Sequence, residues 1–339
     1  MAMENVKTVK PVSRRDVAKA SGVSLTTVTH ALNPTPGTRV NEATRARVMK
    51  VATELGYRPN FIGRALVTGK SFSIGLMQPQ YESIFSDFYQ RMSYGLAISM
   101  GHDDYNLLLT FRDGQNGFLK TIRQGRVDGM VVLQSDFDTK YIDQTIAKGL
   151  PTVVLNRTYD IDETTRGGNV SSDHFELVTA LMEKFTASDC KNILTVIDQT
   201  YCEPNLQLFD AARRIAVTLA KSGIATENLT PSQTDFEAQI RNAFASGRRW
   251  DAIYIDGVEF VMPLVKAAAE FGFIPGRDFE LQLSDAPRDL SSRNLDFPIT
   301  IYFQQPEKMG EAAWKMLKGL IAGEDIVRRM LVPYKKVDL

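Results

Sequence analysis

Cysteine is scarce in this chain: Cys190 and Cys202 are the two in 339 residues. They form no Cys-x-x-Cys pair, and so few thiols suit a reducing cytoplasm better than a disulfide-stapled secreted scaffold. The three histidines, His30, His102 and His174, lie far apart and make no His-x-x-x-His pair, so no metal and no other cofactor is expected. A Gly-x-Ser-x-Gly elbow and a glycine-rich phosphate loop are both missing, which argues against an enzyme. Asp173-His174 beside two serines is at most a fragment of a hydrolase triad that nothing arranges. Apolar runs of membrane-spanning length are absent, and the opening Met-Ala-Met-Glu-Asn-Val-Lys lacks the apolar core of a signal peptide. The expectation is a cytoplasmic protein without membrane contact.

Net charge is also missing, with 40 Lys and Arg against 40 Asp and Glu. The balance is not uniform. Residues 1–70 hold twelve basic and four acidic side chains, a net of +8, and the remaining 28 and 36 leave −8 on residues 71–339. A basic head on an acidic body suits a polyphosphate partner, because neutralised phosphates release condensed counterions.

Residues 12–33 of that head read as helix, turn, helix. Arg14 to Ala20 can form a short helix with Val17 and Ala18 inward, Gly22 permits the turn, and Ser24 is a good N-cap. In the second helix Val28, Ala31 and Leu32 share one side, while Leu25, Thr26, Thr29, His30 and Asn33 share the other. Such a pair is the helix-turn-helix, whose second helix enters the major groove, although an ordinary helical hairpin has the same spacing. A third helix is expected from Asn41 to Leu55, ended by Gly56. Pro59 then breaks the chain, and residues 60–67 suit two further helical turns before a strand-rich region. The expected domains are a DNA-binding head at 1–58, a hinge at 59–70 and a body at 71–339.

Asp16-Val17-Ala18, Gly22-Val23-Ser24, Thr27-Val28, His30, Leu32-Asn33, Thr44-Arg45, Val48, Leu55-Gly56-Tyr57, Pro59-Asn60 and Ala65-Leu66 carry a dense resemblance to the lactose-repressor/galactose-repressor family of bacterial transcription regulators. Thr26 with His30 is most like the purine-repressor branch, and Leu25 departs from the polar residue common there. The resemblance implies that Leu25, Thr26 and His30 read the major groove. It implies that Arg14, Arg15, Ser24, Thr27, Thr29, Asn33 and Asn60 surround that contact with DNA, and that Leu66 wedges into the minor groove of a palindromic site. The alternative for Leu66 is packing against the body.

Beyond residue 70, β and α patterns alternate, as a parallel sheet covered on both faces requires. Strands are expected at 72–77, 106–110, 128–133, 152–155, 192–197, 252–255 and 279–283. Helices are expected at 87–100, 118–125, 141–148, 175–186, 205–221, 258–271 and 306–322. Val127-Asp128-Gly129-Met130, Gly149-Leu150-Pro151-Thr152-Val153-Val154 and Gln305-Pro306 with Gly310 and Ala313 extend the resemblance across most of the chain. They imply a doubly wound, periplasmic-binding-protein-like body of two lobes that closes on a small molecule at the carboxyl ends of its strands. The candidate effector residues are Phe88, Gln134, Arg157, Asp173, Asp256, Asp285 and Phe303. Each carboxylate could equally be a helix cap or loop residue, and each phenylalanine a core residue.

The usual sugar-gripping set is incomplete. Ala211 and Arg214 stand where relatives place an arginine and, one turn later, a glycine, Asp256-Gly257-Val258 stands for their Asn-Asp, and Gln282-Leu283-Ser284-Asp285 for their Gly-Phe-Asp-Asp. Either the ligand is not a simple sugar or other groups replace the missing ones. The expectation is a transcription regulator, more often a repressor, under control of a sugar or related metabolite. It would bind a pseudo-palindromic double-stranded operator as a homodimer, with a tetramer left open. The rival is a solute-binding protein of the same fold without DNA function.

Overall fold

A computed structural model describes residues 12–32, 39–58, 61–78, 86–111, 120, 122, 124–133, 140–157, 160–162, 164–197, 203–230, 235–284, 286, 290 and 295–339. The chain divides into two compact units, Met1–Lys70 and Ser71–Leu339.

The first unit holds α1 (Arg14–Ser21), α2 (Leu25–Leu32), α3 (Glu42–Glu54) and α4 (Phe61–Thr68). Local chemistry sets each start. The Ser13 amide donates to Asp16 Oδ2 at 2.8 Å, Ser24 Oγ accepts from the Thr27 amide at 3.1 Å, and Asn41 Oδ1 accepts from the Thr44 amide at 2.9 Å. Between α1 and α2, Gly22 takes φ 65°, where a side chain would be strained. Val17, Val28, Ala31, Val48 and Ala52, drawn from α1, α2 and α3, make the core. So small a core leaves little stability to spare.

The second unit is built on two six-stranded sheets. The first contains β1 (Ser73–Gln78), β2 (Asn106–Phe111), β3 (Gly129–Leu133), β4 (Thr152–Leu155), β5 (Gly167–Ser172) and β11 (Arg329–Val332), in the order β11-β5-β4-β3-β1-β2. The second contains β6 (Asn192–Val196), β7 (Ala225–Leu229), β8 (Ala252–Asp256), β9 (Glu280–Ser284), β10 (Thr300–Phe303) and β12 (Lys335–Asp338), in the order β12-β10-β9-β8-β6-β7. All neighbours pair in parallel except β10 with β12. The helices are α5 (Asp87–Gly101), α6 (Lys140–Ile146), α7 (His174–Ala187), α8 (Glu203–Lys221), α9 (Phe236–Ala245), α10 (Val261–Glu270) and α11 (Pro306–Ala322). The expected helix at 118–125 lies largely outside the described residues, and the expected 258–271 helix begins as a 3-10 turn, Val258–Phe260.

The chain passes between lobes three times: from β5 into α7, from β10 into α11, and from β11 into β12. The first two crossings leave the carboxyl ends of parallel strands, so those ends gather at the junction.

Two glycines let α5 and α11 cross almost backbone to backbone. A Cβ on Gly95 would stand 2.1 Å from the Glu307 carbonyl oxygen, and one on Gly310 would stand 2.2 Å from that of Met92. Backbone cannot swing aside as a flexible side chain can. Gly310→Ala should therefore destabilise the full chain by about 1–3 kcal/mol, read as a lower urea midpoint. An unchanged midpoint would contradict this close crossing.

Candidate nucleic-acid interface and effector cleft

On α2, Leu25 is 44 % exposed, Thr26 is exposed and His30 is half-buried, all on the side opposite Val28 and Ala31. The other candidates partly serve the fold. Ser24 caps the helix, with Thr27 Oγ1 2.8 Å from its hydroxyl, and Thr29 Oγ1 donates to the Leu25 carbonyl at 3.0 Å. Arg14 is half-buried and reaches Thr29 Oγ1 at 3.5 Å, tying α1 to α2, whereas Arg15 is exposed. Asn33 and Asn60 lie outside the described residues. On α4, Leu66 is 81 % and Val67 85 % exposed. Val67 was not singled out from the sequence. The signal was its place beside Leu66 on so short a helix.

In the second unit the candidates scatter around the lobe junction. Phe88, on α5, lines a cavity of about 170 Å³ with Ala286 of the other lobe and Gln304 of the crossing segment. Phe303 lines an adjoining cavity of about 400 Å³, and Arg91 and Gln304 border both. Arg157 is buried just past β4. Asp256 ends β8, also buried, and its Oδ1 accepts from Ser284 Oγ at 2.5 Å. Ser284 Oγ is in turn 2.6 Å from the Tyr254 hydroxyl. Because Ser284 has one proton and gives it to Asp256, Tyr254 is the donor in that contact. Asp173 caps α7, accepting from the Glu176 amide at 2.9 Å, which is the structural role open to it from the start. Gln134 and Asp285 lie outside the described residues.

Several polar groups at the junction were not anticipated. Arg91 makes a bidentate pair with Glu307, Nε to Oε1 at 2.7 Å and Nη2 to Oε2 at 2.9 Å, which raises its pKa further. The buried side-chain oxygens of Gln78 and Ser171, near the carboxyl ends of β1 and β5, find no hydrogen-bond partner among the described residues. Buried polar atoms are normally paired, so such atoms are ready for a ligand or for water. Among the described residues no group of three or more His, Cys, Asp or Glu could hold a metal, and no helix is long and apolar enough to cross a membrane.

The three crossings are cross-linked. Ser172 Oγ donates to Gln304 Oε1 at 2.7 Å, Gln305 Nε2 donates to the Pro333 carbonyl at 2.7 Å, and His174 Nδ1 lies 2.9 Å from the Tyr334 hydroxyl. Burial pushes the His174 imidazole down to about 4, against a smaller opposing pull from Asp173. Unfolded, its pKa returns to about 6.5, so the unfolded chain binds an extra proton between those values. Stability should therefore fall as pH drops from 6.5 to 4, by about 3 kcal/mol at the acid end. His174→Gln should flatten that profile in denaturant titrations. An equal slope would assign the acid loss to other groups.

Residues 15–60 match the sequence model of the bacterial regulatory proteins of the lacI family. The match covers the head, α1 to the start of the hinge. The probable HTH-type transcriptional repressor ExuR of Bacillus subtilis is 33 % identical over 168 residues, 48 % of this chain and 47 % of that relative. This chain thus aligns with about half the length of ExuR. The HTH-type transcriptional repressor PurR of Photobacterium profundum is 25 % identical over 93 % of this chain and 94 % of its own length. Among solved structures, the Lac repressor dimer bound to operator and the anti-inducer ONPF superposes with a TM-score of 0.70 at 18 % identity, covering 97 % of this chain and 98 % of that one. The last likeness is one of fold: a helical head and a two-lobed α/β body.

Proposed function

We propose that this lacI-family protein is a sequence-specific transcription regulator, a repressor, whose hold on its operator is set by a small metabolite. The observation that carries the reading is the outward face of α2, where Leu25, Thr26 and His30 stand clear of the five-residue core. Phosphate contacts from the basic head would supply affinity, and these three side chains the discrimination between bases. The relatives' names, ExuR and PurR repressors, support the same sign of control.

The body would sense the ligand at the lobe junction. Gln78, Ser171, Arg157 and Asp256 line up polar groups at strand ends, and the first two offer buried oxygens without partners among the described residues. That chemistry fits a hydroxyl-bearing metabolite, a sugar or sugar derivative, better than an apolar one. Closure of the lobes would shift the crossings, and coupling between such sites is usually about 1–3 kcal/mol. Pairing of two chains would cover Tyr94 and Ile98 of α5 and Leu108 and Leu109 of the edge strand β2, all exposed apolar side chains. The protein would act in the cytoplasm, where the DNA is.

The test is a selection of bound duplexes from random DNA, followed by His30→Ala. The wild type should enrich a pseudo-palindrome. His30→Ala should lower affinity for that site by about 1–3 kcal/mol and affinity for random duplex far less. No enrichment, or equal loss on both DNAs, would contradict base readout by α2.

A further inference from the structure

The second lobe holds another cavity, away from the junction, of about 220 Å³ between the α7–α8 layer and the sheet. It opens to solvent past a polar rim, and an apolar concavity of this size suits a small ligand. Its walls include Leu181, Met182 and Phe185 of α7, Phe209 of α8, and Tyr254 of β8. Tyr254 is buried and its hydroxyl is committed to Ser284, so it offers the cavity its ring. At the rim stand Thr195, Asn228, Glu227 and Arg213, the last two exposed.

The rim groups already have partners. Thr195 Oγ1 donates to Asn228 Oδ1 at 2.8 Å, and Asn228 Nδ2 donates to Thr230 Oγ1 at 3.0 Å. Glu227 pairs with Arg248 at 3.2 Å, and Arg213 with Asp210 at 3.7 Å. A polyol entering here would give up its water with nothing in the walls to replace it. An aromatic ring would lose little and gain the edges and faces of Phe185, Phe209 and Tyr254, together with the Met182 thioether. Elsewhere, an apolar cavity of roughly 150 Å³ stays dry and takes up benzene. We propose that this cavity is a second small-molecule site, separate from the junction, for a neutral monocyclic aromatic compound with its one polar substituent at the rim. Whether the junction binds a sugar does not bear on this site.

Phenol is the probe, titrated into the full chain and followed by ligand-observed NMR and by melting temperature. Wild type should show saturable binding, and the melting temperature of the second unit should rise roughly 2–4 °C at about five times Kd. Ala216→Phe sets a ring into the cavity from α8 and should abolish that binding while the fold persists in circular dichroism. Ala212→Leu, one turn earlier on the same lining, fills it more gently and serves if the larger ring is not accommodated. No saturable phenol binding by wild type, or undiminished binding by the folded filled variants, would overturn the proposal.

Discussion

Leu66→Ala should weaken operator binding roughly ten- to a hundred-fold and straighten the bound DNA, with no change in the melting of the Ser71–Leu339 unit. The side chain is 81 % exposed on α4, and its neighbour Val67 is 85 % exposed. A surface side chain of this kind costs little to remove, usually within about 0.5 kcal/mol of stability. Its value would lie in the complex. An apolar side chain pushed between bases unstacks a step and kinks the duplex, and a pair of them opens the centre of a palindrome symmetrically. The measurement is a circular-permutation gel beside an anisotropy titration. Unchanged bending would remove Leu66 from the minor groove. Lost stability with intact DNA binding would place it instead against the body, the alternative its sequence context left open.

Operator affinity should also collapse with salt, by about 10³-fold or more between 50 and 200 mM. Each head carries a net +8 in residues 1–70, and Arg15, Arg39, Arg47, Lys50, Arg58 and Arg64 are exposed within it. Two heads on one operator double the number of phosphates neutralised. Affinity for random duplex should fall with a similar slope, because that part of the binding carries no base information. A flat titration would break the link between segregated charge and function, even if the fold of the head were intact.

The head was legible because each of its decisions is local. A capping serine, one glycine at positive φ and an apolar stripe at helical spacing settle α1, the turn and α2 within twenty residues. The central strands β3 and β4 were legible for a related reason: strands buried on both faces read as unbroken apolar runs, Gly129–Leu133 and Thr152–Leu155. β5 gave no such signal. Gly-Gly-Asn-Val-Ser-Ser looks like a loop, yet all six residues are buried, and Asn169 donates its side-chain amide to the carbonyls of Val154 and Arg157. The neighbouring strand and the crossing segment supply what the residues themselves lack. β7, β10, β11, β12 and α9 were likewise missed, since segments of four to ten residues become strands or helices only once a sheet edge or a core is there to receive them.

For the candidate cleft the division is sharper. Asp256 could be nominated because it follows the expected strand 252–255, and a strand end is where open α/β sheets bind ligands. Phe303 and Asp173 follow strands the sequence did not show and rested on resemblance alone, and the structure gives Asp173 a capping bond. Nothing local marks Arg91 and Glu307, which are 216 positions apart, or His174 and Tyr334, which are 160 apart, as partners. The helices of the head, the central strands β3 and β4, the basic head and the family resemblance follow from the amino-acid order alone, because period, capping and charge act between near neighbours. The crossings, their cross-links, the burial of the Gln78 and Ser171 oxygens and the aromatic-lined cavity exist only when distant segments meet. Long-range pairing leaves no periodic trace in the chain that encodes it.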